Sequence, residues 1–178
     1  YAGVFLLDAA GEYAILRSGY GKAGKAMVSE GHKLKVGTES MIGACIAMGE
    51  ARIALDVGEE RVHFKNPHLP HTRSEMALPL VYGGKALGAV TIQSSEERAF
   101  SEDDVTTLLT MAEHLAVAIN NAKLIDELKE AHNEILRNKV FEALTSASTE
   151  AIHWIGNTTL PISLTVARLR EEIADGNV

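Results

Sequence analysis

From Ser101 to Ile155 the chain contains neither glycine nor proline, although glycine supplies 15 of its 178 residues. Thirteen of those glycines precede residue 101, and only Gly156 and Gly176 follow it. In a helix interior glycine costs about 1 kcal/mol and proline about 3 kcal/mol relative to alanine. The second segment can therefore form one long helix and the first cannot. Charge divides at the same place. Residues 1–100 hold 11 Lys+Arg and 11 Asp+Glu, whereas residues 101–178 hold 6 and 13 and carry the whole net charge of -7.

Ser101-Glu102-Asp103-Asp104 reads as an N-cap followed by three acids that complement the positive end of a helix dipole. Apolar residues then recur at three- and four-residue steps: Leu108, Leu115 and Ala122, then Leu124, Leu128, Ala131 and Ile135. After a phase shift at Ile135-Leu136 the row continues through Val140, Leu144, Ala147, Ala151 and Ile155. A helix from 102 to 147 would be about 65–70 Å long. A globule of 100 residues cannot cover such a stripe along its whole length. The economical partner is an identical helix, which predicts a parallel coiled-coil homodimer with a stutter at the phase shift.

The first segment reads as sheet with short helices. Gly3–Leu7 and Tyr13–Arg17 are apolar runs separated by the turn signal Asp8-Ala-Ala-Gly11. Gly19–Ser29 suits a short helix or a loop, and His32–Val36 alternates like a half-buried strand. Ser40 can cap a helix over Met41–Met48 that stops at Gly49. Arg52–Val57 is a short strand, and residues 58–72 form a loop. Glu75–Tyr82 and Lys85–Gln93 flank Gly83-Gly84, a strong hairpin signal because both positions tolerate positive φ. Pro79 lacks an N–H and belongs at a sheet edge or a bulge.

Composition narrows the function. One cysteine excludes an intramolecular disulfide framework and any four-cysteine metal or iron–sulfur site, and it suits a reducing, cytoplasmic setting. The acidic balance argues against a nucleic-acid partner. No apolar run approaches the roughly 20 residues of a membrane helix, and no signal peptide is visible. The chain opens inside a strand without an initiator Met, so a piece of a larger protein is expected.

Several blocks then fall into a known order. Asn66-Pro-His-Leu-Pro-His-Thr-Arg-Ser-Glu-Met-Ala-Leu-Pro-Leu80, the hairpin, Ala86-Leu-Gly-Ala-Val-Thr-Ile-Gln93 and Phe100-Ser-Glu-Asp-Asp104 resemble the second half of a bacterial GAF domain. Val36-Gly-Thr-Glu-Ser-Met-Ile-Gly43 and Ala51–Val57 match the middle of that pattern, and the resemblance covers about residues 1–123. It implies an α+β sandwich, with a central antiparallel sheet flanked by helices and a long C-terminal helix. It also implies a sensory domain with a small-molecule pocket between the sheet and residues 40–72.

Specialised members of that family carry marks that can be checked. The Asn-Lys…Phe…Asp-Glu signature of cyclic-nucleotide binders is not found. Bilin binders attach their chromophore to a cysteine in a His-containing motif, whereas Cys45 lies on an apolar helical face and reads as a buried thiol. Methionine-sulfoxide reductase members need at least two cysteines, which rules that activity out. Haem would need an axial histidine, for which His63, His68 and His71 are candidates, although a polar loop also accounts for them. Arg73 and Glu75 suit structural pairs, and Arg73 could instead hold an anionic ligand. Cys45, Phe64, His68, His71 and Arg73 are thus the candidate ligand-binding residues, and no metal site is assigned. An empty pocket in a ligand-free dimerisation module is the alternative.

Ala151-Ile-His-Trp-Ile-Gly-Asn-Thr-Thr-Leu-Pro-Ile162 resembles a divergent histidine box of sensor histidine kinases, through His153, Ile155, Asn157 and Pro161-Ile162. It departs from that box in two ways. Trp154 stands where an acid usually follows the histidine, and three residues separate Asn157 from Pro161. An exposed helical imidazole is a usable nucleophile toward a γ-phosphate. Pro161 would kink the helix, and Asp175-Gly-Asn177 would stop it. His153 is thus a phosphoacceptor candidate with Asn157 beside it, or a surface histidine of a bundle that only dimerises. A kinase would need an ATP-binding domain of roughly 100 more residues, so this chain alone is not one. If the whole protein were a kinase, a response regulator would be its partner. The expected organisation is a sensory core over 1–100, its C-terminal helix over 101–123, a coiled-coil linker over 124–147 and a kinase-like dimerisation segment over 148–178.

Overall fold

The computed structural model describes residues 1–59 and 64–174. Its elements are β1 (Ala2–Leu7), β2 (Tyr13–Gly19), α1 (Gly21–Ser29), β3 (Lys33–Lys35), α2 (Met41–Met48), β4 (Arg52–Ala54), β5 (Ser74–Tyr82), β6 (Lys85–Ser94) and α3 (Glu102–Ala174). The strands form a six-stranded sheet in the order β3-β2-β1-β6-β5-β4, with every neighbouring pair antiparallel. Two units divide the chain, Tyr1–Leu124 and the segment beginning at Ile125.

Local chemistry sets the element ends. Asp8 closes the β1–β2 turn, its Oδ1 accepting from the N–H groups of Glu12 at 2.9 Å and Tyr13 at 3.2 Å. The Oγ of Ser40 accepts from the Gly43 N–H at 2.9 Å, and Gly49 ends α2 at φ 69°, as the sequence predicts. Gly83 and Gly84 both adopt positive φ, 57° and 77°, which a two-residue hairpin twisted like its strands requires. Ser101 and Asp104 cap α3 reciprocally, the Ser101 Oγ accepting from the Asp104 N–H while Asp104 Oδ2 accepts from the Ser101 N–H. Pro79 pairs with Ala89 on β6, while the three-residue β4 reaches only Glu75–Ala77, so its missing N–H faces an open edge.

Of the two forms open to Gly19–Ser29, helix or loop, the helix is found, from Gly21. One expectation changes: the strand expected over Arg52–Val57 stops at Ala54. Past that stop the Val57 N–H still reaches across to the chain just before β5, donating to the Arg73 carbonyl at 2.8 Å. α3 continues through Gly156 and Pro161. The expected stop at Asp175-Gly-Asn177 lies outside the described residues.

Alternation along β1, β5 and β6 serves two layers. On one face Met76, Leu78 and Leu80, with Val4, Leu6 and Val90, pack against Ala112, Ala116, Leu108, Leu115 and Ile119 of α3. The small buried Ala112 and Ala116 let the helix lie close to the sheet. On the other face Phe5, Leu16, Ala77 and Ala89 pack with Met27 of α1 and Met41, Ile42, Cys45 and Ile46 of α2. Each large side chain fully buried this way is worth about 1.5–3 kcal/mol. A Cβ on Gly88 would overlap the Phe5 carbonyl oxygen, so glycine here is what lets β6 approach β1.

Two substitutions test this account by urea denaturation. Ser40→Ala is expected to lower stability by about 1–2 kcal/mol, through loss of a buried cap. Gly88→Ala is expected to cost roughly 3 kcal/mol, because the two central strands must separate. An unchanged midpoint in either variant would contradict the role given to that residue.

Candidate functional site

Period-two alternation brings three polar side chains onto the otherwise apolar face opposite α3. Glu75 pairs with Gln93 across β5 and β6, and Thr91 lies between Ala77 and Gly3. Glu75 is only 4 % exposed and Thr91 fully buried. The burial is tolerated because the polar groups meet one another: Glu75 Oε1 accepts from Thr91 Oγ1 at 3.0 Å and from Gln93 Nε2 at 3.0 Å. Thr72 Oγ1 lies 2.9 Å from Gln93 Oε1 and donates to it. Because the Glu75 carboxylate only accepts, the Gln93 amide is fixed with its nitrogen toward it. The row ties the 64–73 loop to the sheet.

Above this row lies a cavity of ≈ 20 Å³, room for about one water molecule. Tyr1, Phe5, His32, Met41, Phe64, Asn66, Glu75, Thr91 and Gln93 are among its walls. His32 precedes edge strand β3, and its ring sits 6.0 Å from Phe5, edge-on, and 6.0 Å from Phe64. Burial, and secondarily His68, lowers its pKa against the opposing effect of Glu30, so the imidazole is neutral at pH 7. Burial, and then the Glu75 carboxylate, pushes the Tyr1 phenol up to about 12. Among the described residues two buried side-chain polar atoms have no hydrogen-bond partner, Tyr1 OH and His32 Nε2, and both residues line this cavity.

A groove of ≈ 240 Å³ lies on the far side of Tyr1 and Gln93, lined by His68, Pro70, His71 and Thr72. The loop beneath it is fastened to α1. His68 Nε2 lies 2.9 Å from Glu30 Oε2, and Asn66 Nδ2 donates to Met27 Sδ at 3.0 Å.

Of the five candidate ligand-binding residues, Cys45, Phe64, His68, His71 and Arg73, only Phe64 reaches the cavity. His68 and His71 line the groove instead. Arg73 is engaged by Asp56 and Glu97, while Glu75 turns to Thr91 and Gln93 rather than to Arg73. Cys45 is fully buried in the core, and burial, opposed by Arg52, pushes its thiol up to about 12. His63 lies outside the described residues. Among the described residues no group of three or more His, Cys, Asp or Glu side chains is placed to hold a metal ion. His153 and Asn157 sit on an exposed face of α3, with Asn157 Nδ2 3.2 Å from His153 Nδ1. Sequence reasoning passed over Tyr1, His32, Thr91 and Gln93. The signal for the last two was present, since Thr91 and Gln93 alternate with apolar residues on a strand otherwise made for a core.

No helix among the described residues is long and apolar enough to cross a membrane. No curated protein matches the chain. Solved structures do. The GAF domain of a phosphoenolpyruvate-protein phosphotransferase from Coxiella burnetii is 24% identical with a TM-score of 0.60, over 69% of this chain and 73% of that one. The second GAF domain of DevS from Mycobacterium smegmatis is 18% identical with a TM-score of 0.56, over 71% and 84%. Free methionine-R-sulfoxide reductase from Neisseria meningitidis, in complex with its substrate, is 21% identical with a TM-score of 0.56, over 69% and 68%. These likenesses establish a shared fold. A family model of the GAF domain matches residues 1–120, two thirds of the sequence and the whole of the sheet, and the chain accordingly belongs to the GAF domain family.

Proposed function

We propose that this chain is the cytoplasmic sensing module of a bacterial two-component sensor, in which a small molecule bound in the cavity biases a dimer formed through α3. One observation carries the reading, the apolar row of α3 beyond Leu124. From Leu136 the row runs through Val140, Leu144, Ala147, Ala151, Ile155, Thr158, Ile162, Val166 and Leu169, in steps of four, four and three, repeated. Leu136, Val140, Leu144, Ile155, Ile162, Val166 and Leu169 are all exposed. An eleven-residue repeat keeps one stripe in line along a nearly straight or right-handed pair of helices. The shift at Ile135-Leu136 is then the start of a new repeat rather than an isolated stutter. The row holds no charge, and in a parallel, in-register pair each layer meets its own copy. Signals would pass as a change in helix register or crossing angle between two states.

The Neisseria neighbour is named as a reductase, and such chemistry needs reactive thiols. Cys45 is buried and remains a protonated thiol, which favours sensing over catalysis in the cavity.

A second reading concerns His153, favoured by its exposure and by the Asn157 contact on Nδ1. With the amide turned so that Asn157 Oδ1 accepts from Nδ1–H, the lone pair stands on Nε2 for attack on a γ-phosphate, with an ATP-binding domain supplied elsewhere in a longer protein and a response regulator as recipient.

Sedimentation equilibrium at micromolar concentration is expected to show a dimer that Leu144→Glu with Ile155→Glu converts to monomer. A monomeric parent chain would sink the proposal. In a longer protein joining this chain to an ATP-binding domain, His153→Gln is expected to abolish labelling from γ-labelled ATP. Equal labelling would remove His153 as acceptor.

A further inference from the structure

Buried polar atoms in folded proteins are nearly always paired, and each exception calls for an explanation. Among the described side chains the two exceptions, Tyr1 OH and His32 Nε2, belong to residues lining one cavity. Neither is charged at neutral pH. Burial keeps the phenol protonated and the imidazole neutral. The one carboxylate in the described lining, Glu75, is engaged by Thr91 and Gln93 in the floor of the sheet. No Lys or Arg is among the described lining residues. Ser40 and Asn66 also line it, Ser40 Oγ taken by the Gly43 N–H and the Asn66 amide by Met27 and the His68 N–H, and the remaining walls near His32 are aromatic and aliphatic: Phe5, Phe64, Leu34 and Ile42. A site of this kind offers flat apolar contact and two neutral hydrogen-bonding atoms.

We propose that the cavity takes a small, uncharged, planar ring compound whose edge carries both a carbonyl acceptor and an N–H donor, held by Tyr1 and His32. This rests on the reading of the cavity as the sensing site. The phenol donates its proton to the carbonyl, and His32 Nε2, with the imidazole proton on Nδ1, accepts from the ring N–H. The ring stacks between the side chains that already flank His32. A cavity with room for about one water must open to admit it, and Phe64, at the start of the 64–73 loop and half in solvent, is the wall that moves.

The test uses the 178-residue chain with four probes: 2-pyridone, benzoate, benzylammonium and benzene. Two signals are read, the melting temperature and the Cε1–H resonance of His32, assigned by its loss in His32→Phe. 2-Pyridone at millimolar concentration is expected to raise the melting temperature by about 2–4 °C and to shift the His32 resonance saturably. Tyr1→Phe removes one hydroxyl without changing shape. It is expected to melt no lower than the parent, because the lost oxygen had no partner, and to bind 2-pyridone about fivefold to tenfold more weakly. His32→Phe is expected to lose the response altogether. Shifts of His32 by benzoate, benzylammonium or benzene in place of 2-pyridone would overturn the ligand class and leave the sensing cavity standing. No shift from any probe would overturn both. A Tyr1→Phe variant that binds 2-pyridone as well as the parent would remove the phenol from the site.

Discussion

Each central strand of the sheet is covered on both faces, so its two-residue alternation must satisfy two different neighbours at once. Along β1, Val4 and Leu6 meet α3 while Gly3 and Phe5 face the cavity side. Along β6, Val90 meets α3 while Ala89, Thr91 and Gln93 turn the other way. A slip of one residue would exchange the two sets and bury the Glu75–Thr91–Gln93 row against the apolar face of α3. The fit of β6 against β1 at Gly88 therefore does more than pack two strands. It places polar side chains only where an incomplete layer, the two-turn α2 and the 64–73 loop, leaves space above them.

Features governed by neighbours in sequence could be read directly. Ser40 and Gly49 bracket α2, Gly83-Gly84 makes the hairpin and Ser101 with Asp104 begins α3, because each depends on a few consecutive residues. The family could be read for the same reason, since its blocks are local patterns in a fixed order. The cavity could not. His32 becomes a wall through its position beside Phe5 and Phe64, which are far from it in sequence. Arg73 and Glu75, two residues apart, look like partners on paper, but they lie at the end of β5 where the chain sends one outward to Asp56 and Glu97 and the other into the sheet floor. Cys45, by contrast, reads as a buried thiol from its apolar helical face alone, and the core encloses it.

α3 shows how one helical period can meet unlike demands. Its first turns place alanines at 112 and 116, where close approach to the sheet matters more than side-chain volume. Farther on, leucine, valine and isoleucine stand exposed at the same angular spacing. The polar residues of this stretch include Thr158, which stands in the row itself, and Thr145, Thr149, Thr159 and Thr165. Each donates its hydroxyl to the carbonyl four residues earlier.

That threonine pattern bears on when the distal part of α3 exists as a helix. Threonine is a poor helix former, and its back-bonding to the preceding turn loosens the ladder slightly. Gly156 and Pro161 fall within the same stretch. An isolated helix of this composition has little reason to persist in water, where most helical stability comes from packing an apolar face. Order in this stretch is then conditional on occupancy of its apolar row. In the dimer proposed above, assembly and helix formation would be one equilibrium, and weakening the first would unwind the second.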